Sequence, residues 1–339
     1  MKTPKVLFFT GKGGTGKSTI SALAGLTLSL EGSRVMVISL DSAHNLSDIF
    51  KIKLSHTPMK ITTTLFAREV DQNRIIKSYL KNTRDALKRT YAYLSAFNLD
   101  HYFDILKHSP GLEEYALIMA FQSALEKFSD FDYLIFDMPP TALSLKFFNL
   151  PFLSGKWIEH LKTLRQEINE KKKIVSRIKF AGKAYTKDKI LVRIEEMKAG
   201  YERIEAFFKD HSKTSVFVVL NNNPLAAAES AKILNDLEQK EIFVKKLIWN
   251  RVSPQVSDPV PSESVTSASA ASARETLDRE TSGQETSAPM ASSIDLSYFP
   301  DYVENLYFPE AVEDLFGIRA LGDYIESGGL TAGQFQADG

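Results

Sequence analysis

The sequence predicts an α/β fold with a mainly parallel sheet covered by helices on both faces. Three observations carry that expectation. Short apolar runs recur at Val6–Phe9, Val35–Ile38, Tyr133–Phe136, Val216–Leu220 and Val244–Trp249; amphipathic segments of helical length separate them; and polar groups stand just beyond their carboxyl ends. Buried parallel strands read as continuous apolar runs, and ligand groups in such sheets gather at the carboxyl ends of the strands. Thr10–Ser18, Asp41, Asp137, Asn221–Asn223 and Asn250 occupy those positions.

The first strand leads into Gly11-Lys12-Gly13-Gly14-Thr15-Gly16-Lys17-Ser18, followed by a helix-like segment. The spacing G-x-x-x-x-G-K-S suits the cradling of phosphates. Glycines let the backbone wrap an anion with its N–H groups pointing inward, at the positive end of the following helix. Lys17 then reaches the β- and γ-phosphates and the Ser18 hydroxyl ligates Mg²⁺. Thr19, one residue further on, is placed to meet the α-phosphate. Lys12 is an additional cation at the mouth of the loop. It is either a solvated surface lysine or a group that reaches a nucleotide in a facing copy of the same loop.

The remainder of the chain is organised around that loop. At 339 residues it has length for one large α/β domain with insertions, and a single domain over 1–339 is expected. Segments 71–128 and 155–213 read as helices, forming a helical subdomain beside the nucleotide site. The second holds about sixteen Lys and Arg against nine Asp and Glu, including Lys171-Lys172-Lys173. Such a run is by default a solvated helix face, with an anionic partner or lipid surface as the alternative. From about 253 to 293 the composition turns to Ser, Thr, Ala, Pro and Glu, the signature of a disordered insert. Aromatic, Leu-rich sequence then returns over 298–328, with Pro309-Glu310 opening a helix that ends near Gly328-Gly329.

Composition narrows the chemistry. Lys and Arg total 42 and Asp and Glu total 42, so the surface as a whole is not tuned for nucleic acid. Cysteine is absent, which removes disulfides, thiolate metal sites, cysteine nucleophiles and iron–sulfur clusters. Met-Lys-Thr-Pro-Lys runs into a strand without the pattern of a signal peptide, and no apolar run approaches a bilayer span, so a cytoplasmic protein is expected.

The loop Lys12-Gly13-Gly14-Thr15-Gly16-Lys17-Ser18 resembles the deviant Walker A of the dimeric P-loop ATPases, among them the ParA and MinD partitioning proteins. The segment Asp41-Ser42-Ala43-His44-Asn45-Leu46-Ser47-Asp48 narrows this to the arsenite-pump and tail-anchored-protein-targeting ATPases, because it resembles their switch I, D-P-A-H-N/S-L-S-D. The resemblance implies ATP and Mg²⁺ as cofactors, with Lys12 acting across a homodimer. It gives Asp41 the task of positioning or activating the attacking water. A carboxylate at a strand end facing the phosphate loop suits that role, although it also suits a helix N-cap. Ser42 replaces the family's proline. His44 is expected to hold the loop by hydrogen bonding, and Asp48 to approach the Mg²⁺ shell through water.

Phe131 to Thr141 is a strand ending in an acid, the Walker B arrangement, with Asp137 reaching Mg²⁺ through a coordinated water. The stretch from Asp137 to Pro151 is similar to the family's switch II, but Ala142-Leu143 stand where the family has Gly-His. A hinge and a polar switch residue are thereby lost. The resemblance further assigns Asn250, at the end of the fifth apolar run, to the adenine edge, and places Pro309 in the adenine-covering loop. An Asn amide carries the donor and acceptor that adenine needs. Asn221-Asn222-Asn223-Pro224 reads as a structural turn.

The function expected is that of an ATP-hydrolysing, Mg²⁺-dependent dimeric switch, coupling nucleotide state to a protein or membrane-associated client. A slow or non-hydrolysing ATP-binding scaffold is the alternative that Ala142-Leu143 raises. A ParA- or MinD-like positioning factor is the second alternative, raised by the basic segment. Without cysteine the chain has neither the zinc clasp of the eukaryotic targeting factors nor a thiolate arsenite site. Between 155 and 213 Met197 is the only methionine, so the sequence offers no methionine-lined client groove there.

Overall fold

The computed structural model describes residues 3–90, 103, 105–179, 188–252, 303–309, 317–328 and 330–336. The expected disordered insert at 253–293 lies outside the described residues. Among those described, eight strands form one sheet in the order β3-β4-β2-β5-β1-β6-β7-β8. They are β1 (Lys5–Thr10), β2 (Val35–Ser39), β3 (Met59–Lys60), β4 (Leu65–Glu69), β5 (Tyr133–Asp137), β6 (Thr214–Asn221), β7 (Val244–Val252) and β8 (Glu304–Pro309). Every pairing is parallel except β3 with β4.

Alternation along the strands sends side chains to two cores. Leu7 and Phe9 of β1 pack with helices α1 (Lys17–Leu30), α2 (Asn45–Phe50) and α8 (Ile318–Gly328), through Ile20, Leu23, Ile49 and Leu321. Val6 and Phe8 face the other way, toward α4 (Leu112–Lys127), α5 (Thr141–Lys179), α6 (Lys189–Lys209) and α7 (Pro224–Glu238). There Phe8 is the hub of an aromatic cluster, its ring 5.2 to 5.8 Å from those of Phe121, Phe136, Phe147, Phe148 and Phe208. Several are edge-on or tilted, the geometry that the ring quadrupole favours. Helix α3 (Gln72–Thr90) packs against α4.

Three features depart from the sequence reading. Helix α5 begins at Thr141, well before residue 155, and carries Pro151 in its interior. Buried Phe147 and Phe148 anchor its first turns to the sheet, which offsets the hydrogen bond that proline cannot make. Strand β4 lies outside the five apolar runs, because Arg68 and Glu69 interrupt its apolar pattern. Pro309 is the last residue of β8, and the next helix among the described residues, α8, starts at Ile318. A proline at the end of an edge strand removes no ladder bond that the sheet needs. β8 is held instead by its pairing with β7 and by Trp249 Nε1, which donates to Asn305 Oδ1 at 2.8 Å.

Candidate active site

Phe9, Asp137, Ser39 and Glu69 lie in register across β1, β5, β2 and β4, so the loops that follow them open onto one edge of the sheet. The phosphate loop leaves β1 at Gly11, where φ is +143° and an added Cβ would lie 2.1 Å from the Val219 carbonyl oxygen. At Gly16 φ is +89°, and an added Cβ would lie 2.2 Å from Asn250 Nδ2. Only glycine meets both conditions. Gly14 is also left-handed, and Gly13 and Gly14 face solvent. Thr15 Oγ1 and Lys17 Nζ both donate to the Lys12 carbonyl, at 2.9 and 3.1 Å, which curls the loop around its own centre.

Lys17 and Ser18 open α1 and are buried, while Thr19 is half-buried beside them. Burial pushes the Lys17 ammonium down from its ordinary range, and the charges of Asp137 and Asp41 oppose that shift. Asp137 is wholly buried. Burial pushes its carboxyl up to about 7, against the pull of the nearby Ser18 hydroxyl, the Lys17 charge and the Ser39 hydrogen bond; the Asp41 charge raises it further. Its Oδ2 accepts from Ser39 Oγ at 3.2 Å, and its Oδ1 has no partner. An orphaned carboxylate oxygen beside a serine hydroxyl, at the head of a phosphate loop, fits a hydrated Mg²⁺. Among the described residues no three His, Cys, Asp or Glu gather as a metal cage, so the ion would take its other ligands from phosphate and water.

Asp41 is 8% exposed, and its Oδ1 accepts from the Ala43 amide at 3.0 Å. It therefore caps its own turn while α2 starts later, after His44. Asp48 lies in the first turn of α2. Lys12 extends toward α7, where its Nζ lies 3.5 Å from Glu229 Oε1. Glu229 Oε2 accepts from Thr141 Oγ1, at 3.4 Å, so one carboxylate touches both the extra lysine and the head of α5. In that first turn Ala142 is exposed, and Leu143 packs on the core that Phe8 centres.

Asn250 is brought to the back of the phosphate loop. Its Nδ2 donates to the Thr15 carbonyl at 2.9 Å and its Oδ1 accepts from the Arg251 amide at 3.1 Å. Asn250 is 1% exposed and keeps one N–H and one lone pair beyond these two bonds. Pro309 reaches the same edge of the sheet, paired with Val252. Asn223 is structural: its side chain accepts from the Leu225 amide at 2.9 Å and caps α7.

Two acids around the site carried no signal in the motifs. Glu229 lies in a helix far along the chain. Glu69 ends β4 and accepts from both the amide and the hydroxyl of Ser47, each at 2.8 Å. Charge inside the buried run Leu65–Glu69 was the available sign, since an acid at a buried strand end needs donors.

A family model described as an anion-transporting ATPase matches residues 4–278. The chain is 29% identical over 252 residues to a putative arsenical pump-driving ATPase 2 from Aquifex aeolicus (strain VF5), covering 74% of this chain and 81% of that one. It is 28% identical over 254 residues to an ATPase ASNA1 homolog from Cryptosporidium parvum (strain Iowa II), at 74% and 66% coverage. It is also 29% identical over 252 residues to ATPase GET3A from Arabidopsis thaliana, at 73% and 67%.

Proposed function

The chain belongs to the anion-transporting ATPase family and is an ATP-binding ATPase of that family, and on that premise we propose that it works as a Mg²⁺-dependent dimeric switch. The observation that carries this reading is the convergence of Lys17, Ser18, Asp41 and Asp137 at one edge of the sheet, with Lys12 at its rim. In this scheme the loop amides and Lys17 hold the β- and γ-phosphates and neutralise the charge that grows as the terminal phosphoryl group departs. Asp41 accepts a hydrogen bond from the attacking water and aligns it for in-line displacement. Ser18 would hold Mg²⁺ directly and Asp137 through water. The ion, when bound, supplies charge neutralisation across the transferred phosphoryl oxygens. Asn250 turns its remaining N–H and lone pair to the adenine edge, with Pro309 alongside.

The dimer follows from Lys12, whose ammonium is free to exchange its part-exposed partner Glu229 for a phosphate presented by a second copy. The helical layer built from α3, α4, α5 and α6 is the element that carries nucleotide state to a client. Leu153, Trp157 and Leu164 are exposed along one stripe of α5, and Ile190 and Met197 are exposed on α6, which packs beside it. These side chains supply the apolar surface that a protein or membrane-associated client needs. Among the described residues no helix is long and apolar enough to cross a membrane.

Steady-state phosphate release tests the scheme. Wild-type protein turns over with Mg²⁺ and ATP, and Asp41→Asn lowers kcat by about a hundredfold or more, in the range lost with a catalytic acid–base group. Equal turnover in the two proteins would sink the role of Asp41. Absence of turnover in both would favour an ATP-binding scaffold, the reading that Ala142-Leu143 supports.

A further inference from the structure

Glu69 has no part in the scheme above, yet its carboxylate is the most heavily engaged acid near the site. It is 5% exposed, opposite Ser39 in the register of β4 and β2. Oε1 takes the Ser47 amide and Oε2 the Ser47 hydroxyl, each at 2.8 Å, and His44 Nδ1 lies 3.8 Å from Oε2. A buried carboxylate is retained only where donors replace its water, and here both donors belong to Ser47, in the segment that follows Asp41.

That segment cannot hold its own shape. Helix α2 has six residues, too few to persist without tertiary support. It is flanked by His44 and Lys51, both left-handed at φ 54°, which is costly for residues other than glycine. The Ser47 amide is one of the first-turn donors that no intrahelical carbonyl serves. The Ser47 hydroxyl, having given its proton to Glu69, accepts from the Leu54 amide at 3.0 Å. One carboxylate on a rigid strand thus grips the first turn of α2 through the Ser47 amide and, through the Ser47 hydroxyl, the exit at Leu54. Among the described residues Asp41 is held by the Ala43 amide on its Oδ1 and by its own amide, which donates to Ser39 Oγ at 3.3 Å.

We propose that Glu69 is a positioning residue for hydrolysis, tying the 41–54 segment to β4 so that Asp41 is presented to the attacking water. This rests on the reading of Asp41 given above. Glu69→Gln keeps one acceptor oxygen but turns an NH₂ group toward a donor, and Ser47→Ala removes the hydroxyl relay. Each lowers kcat about tenfold, the worth of one lost charge-assisted hydrogen bond. KM for ATP, and affinity for a fluorescent ATP analogue, stay within about twofold, because the phosphate loop is untouched. The Ser47 and Leu54 amides exchange with deuterium faster in Glu69→Gln, and the double variant loses little beyond either single one.

Single-turnover rates, analogue binding and amide exchange on the full chain decide the matter, with Asp41→Asn measured alongside. Wild-type kcat and unchanged exchange in Glu69→Gln would overturn the proposal. So would a fall in kcat matched by an equal fall in ATP affinity and melting temperature, which marks a merely structural residue. Loss of turnover in Asp41→Asn beside wild-type kcat in Glu69→Gln overturns the tether alone. Full turnover in Asp41→Asn overturns the reading of Asp41, and with it the proposal.

Discussion

Asp137 is wholly enclosed, with Ser18, Ser39 and Lys17 as its polar neighbours, and burial lifts its carboxyl to about 7. In the unfolded chain the same group titrates near an ordinary aspartate value of about 3.9. An acid whose folded pKa is the higher keeps a proton that the unfolded chain has already released. Its contribution to stability is therefore complete below about pH 4 and is lost as pH climbs through about 7, on the order of 4 kcal/mol across that window. Urea unfolding of nucleotide-free protein between pH 4 and 8 is expected to show this decline, and Asp137→Asn to flatten it. An unchanged slope in the variant would assign the decline to other groups. Mg²⁺ held there as proposed would act on the same oxygen with the opposite sign, since a cation beside Oδ1 favours the carboxylate. Mg²⁺-dependent nucleotide affinity accordingly weakens as pH falls below about 7.

Helix α5 is the element that joins this acid to the helical layer, and its first turn is stiff. Residue 142 has no left-handed conformation and Leu143 is held by core contacts, so the segment has no hinge between Asp137 and Phe147. Ala142→Gly combined with Leu143→His restores a hinge and a polar group. The pair is expected to cost about 2 kcal/mol, from lost helix propensity and packing. It is also expected to raise steady-state phosphate release, if release waits on movement of this turn. Slower release at the same loss of stability would show that stiffness serves turnover. Much of this element was legible in advance. Asp137 was marked by an apolar run ending in an acid, and Ala142-Leu143 by their departure from the family switch II that this stretch resembles. The start of the helix was not legible, because Pro151 suggests a break that buried Phe147 and Phe148 override. β4 hid behind Arg68 and Glu69, charges that a buried strand rarely carries. Local pattern shows that Glu69 is acidic, but not that its oxygens meet Ser47, which is a consequence of where β4 and β2 pair. Glu229 was unread for the same reason: its partners Lys12 and Thr141 are close only once β1, β5 and β6 stand side by side.

For the whole molecule the decisive group is Lys12, because it belongs to the phosphate loop by sequence and to the surface by position. Lys17 is committed inward, with its Nζ on the loop's own carbonyl, whereas the Lys12 ammonium lies at the rim with Glu229. An ion pair of two part-exposed side chains is worth about 1 kcal/mol or less, so little opposes its release. A phosphate offered by a second copy, within an interface that excludes water, is the stronger partner. Zero net charge leaves no long-range repulsion between two such copies, and in the proposed dimer, with no cysteine for a metal clasp, association would depend on nucleotide. Lys12→Ala is therefore expected to bind an ATP analogue within about threefold of wild type, since the intrasubunit contacts of Lys17 and the loop amides persist. It is expected to lose both nucleotide-induced dimerisation, read by sedimentation velocity, and most of its turnover. A variant that dimerises normally but hydrolyses slowly would confine Lys12 to its own active site. One that loses binding in proportion to turnover would make it an ordinary phosphate ligand, and the paired-loop switch would have to be given up.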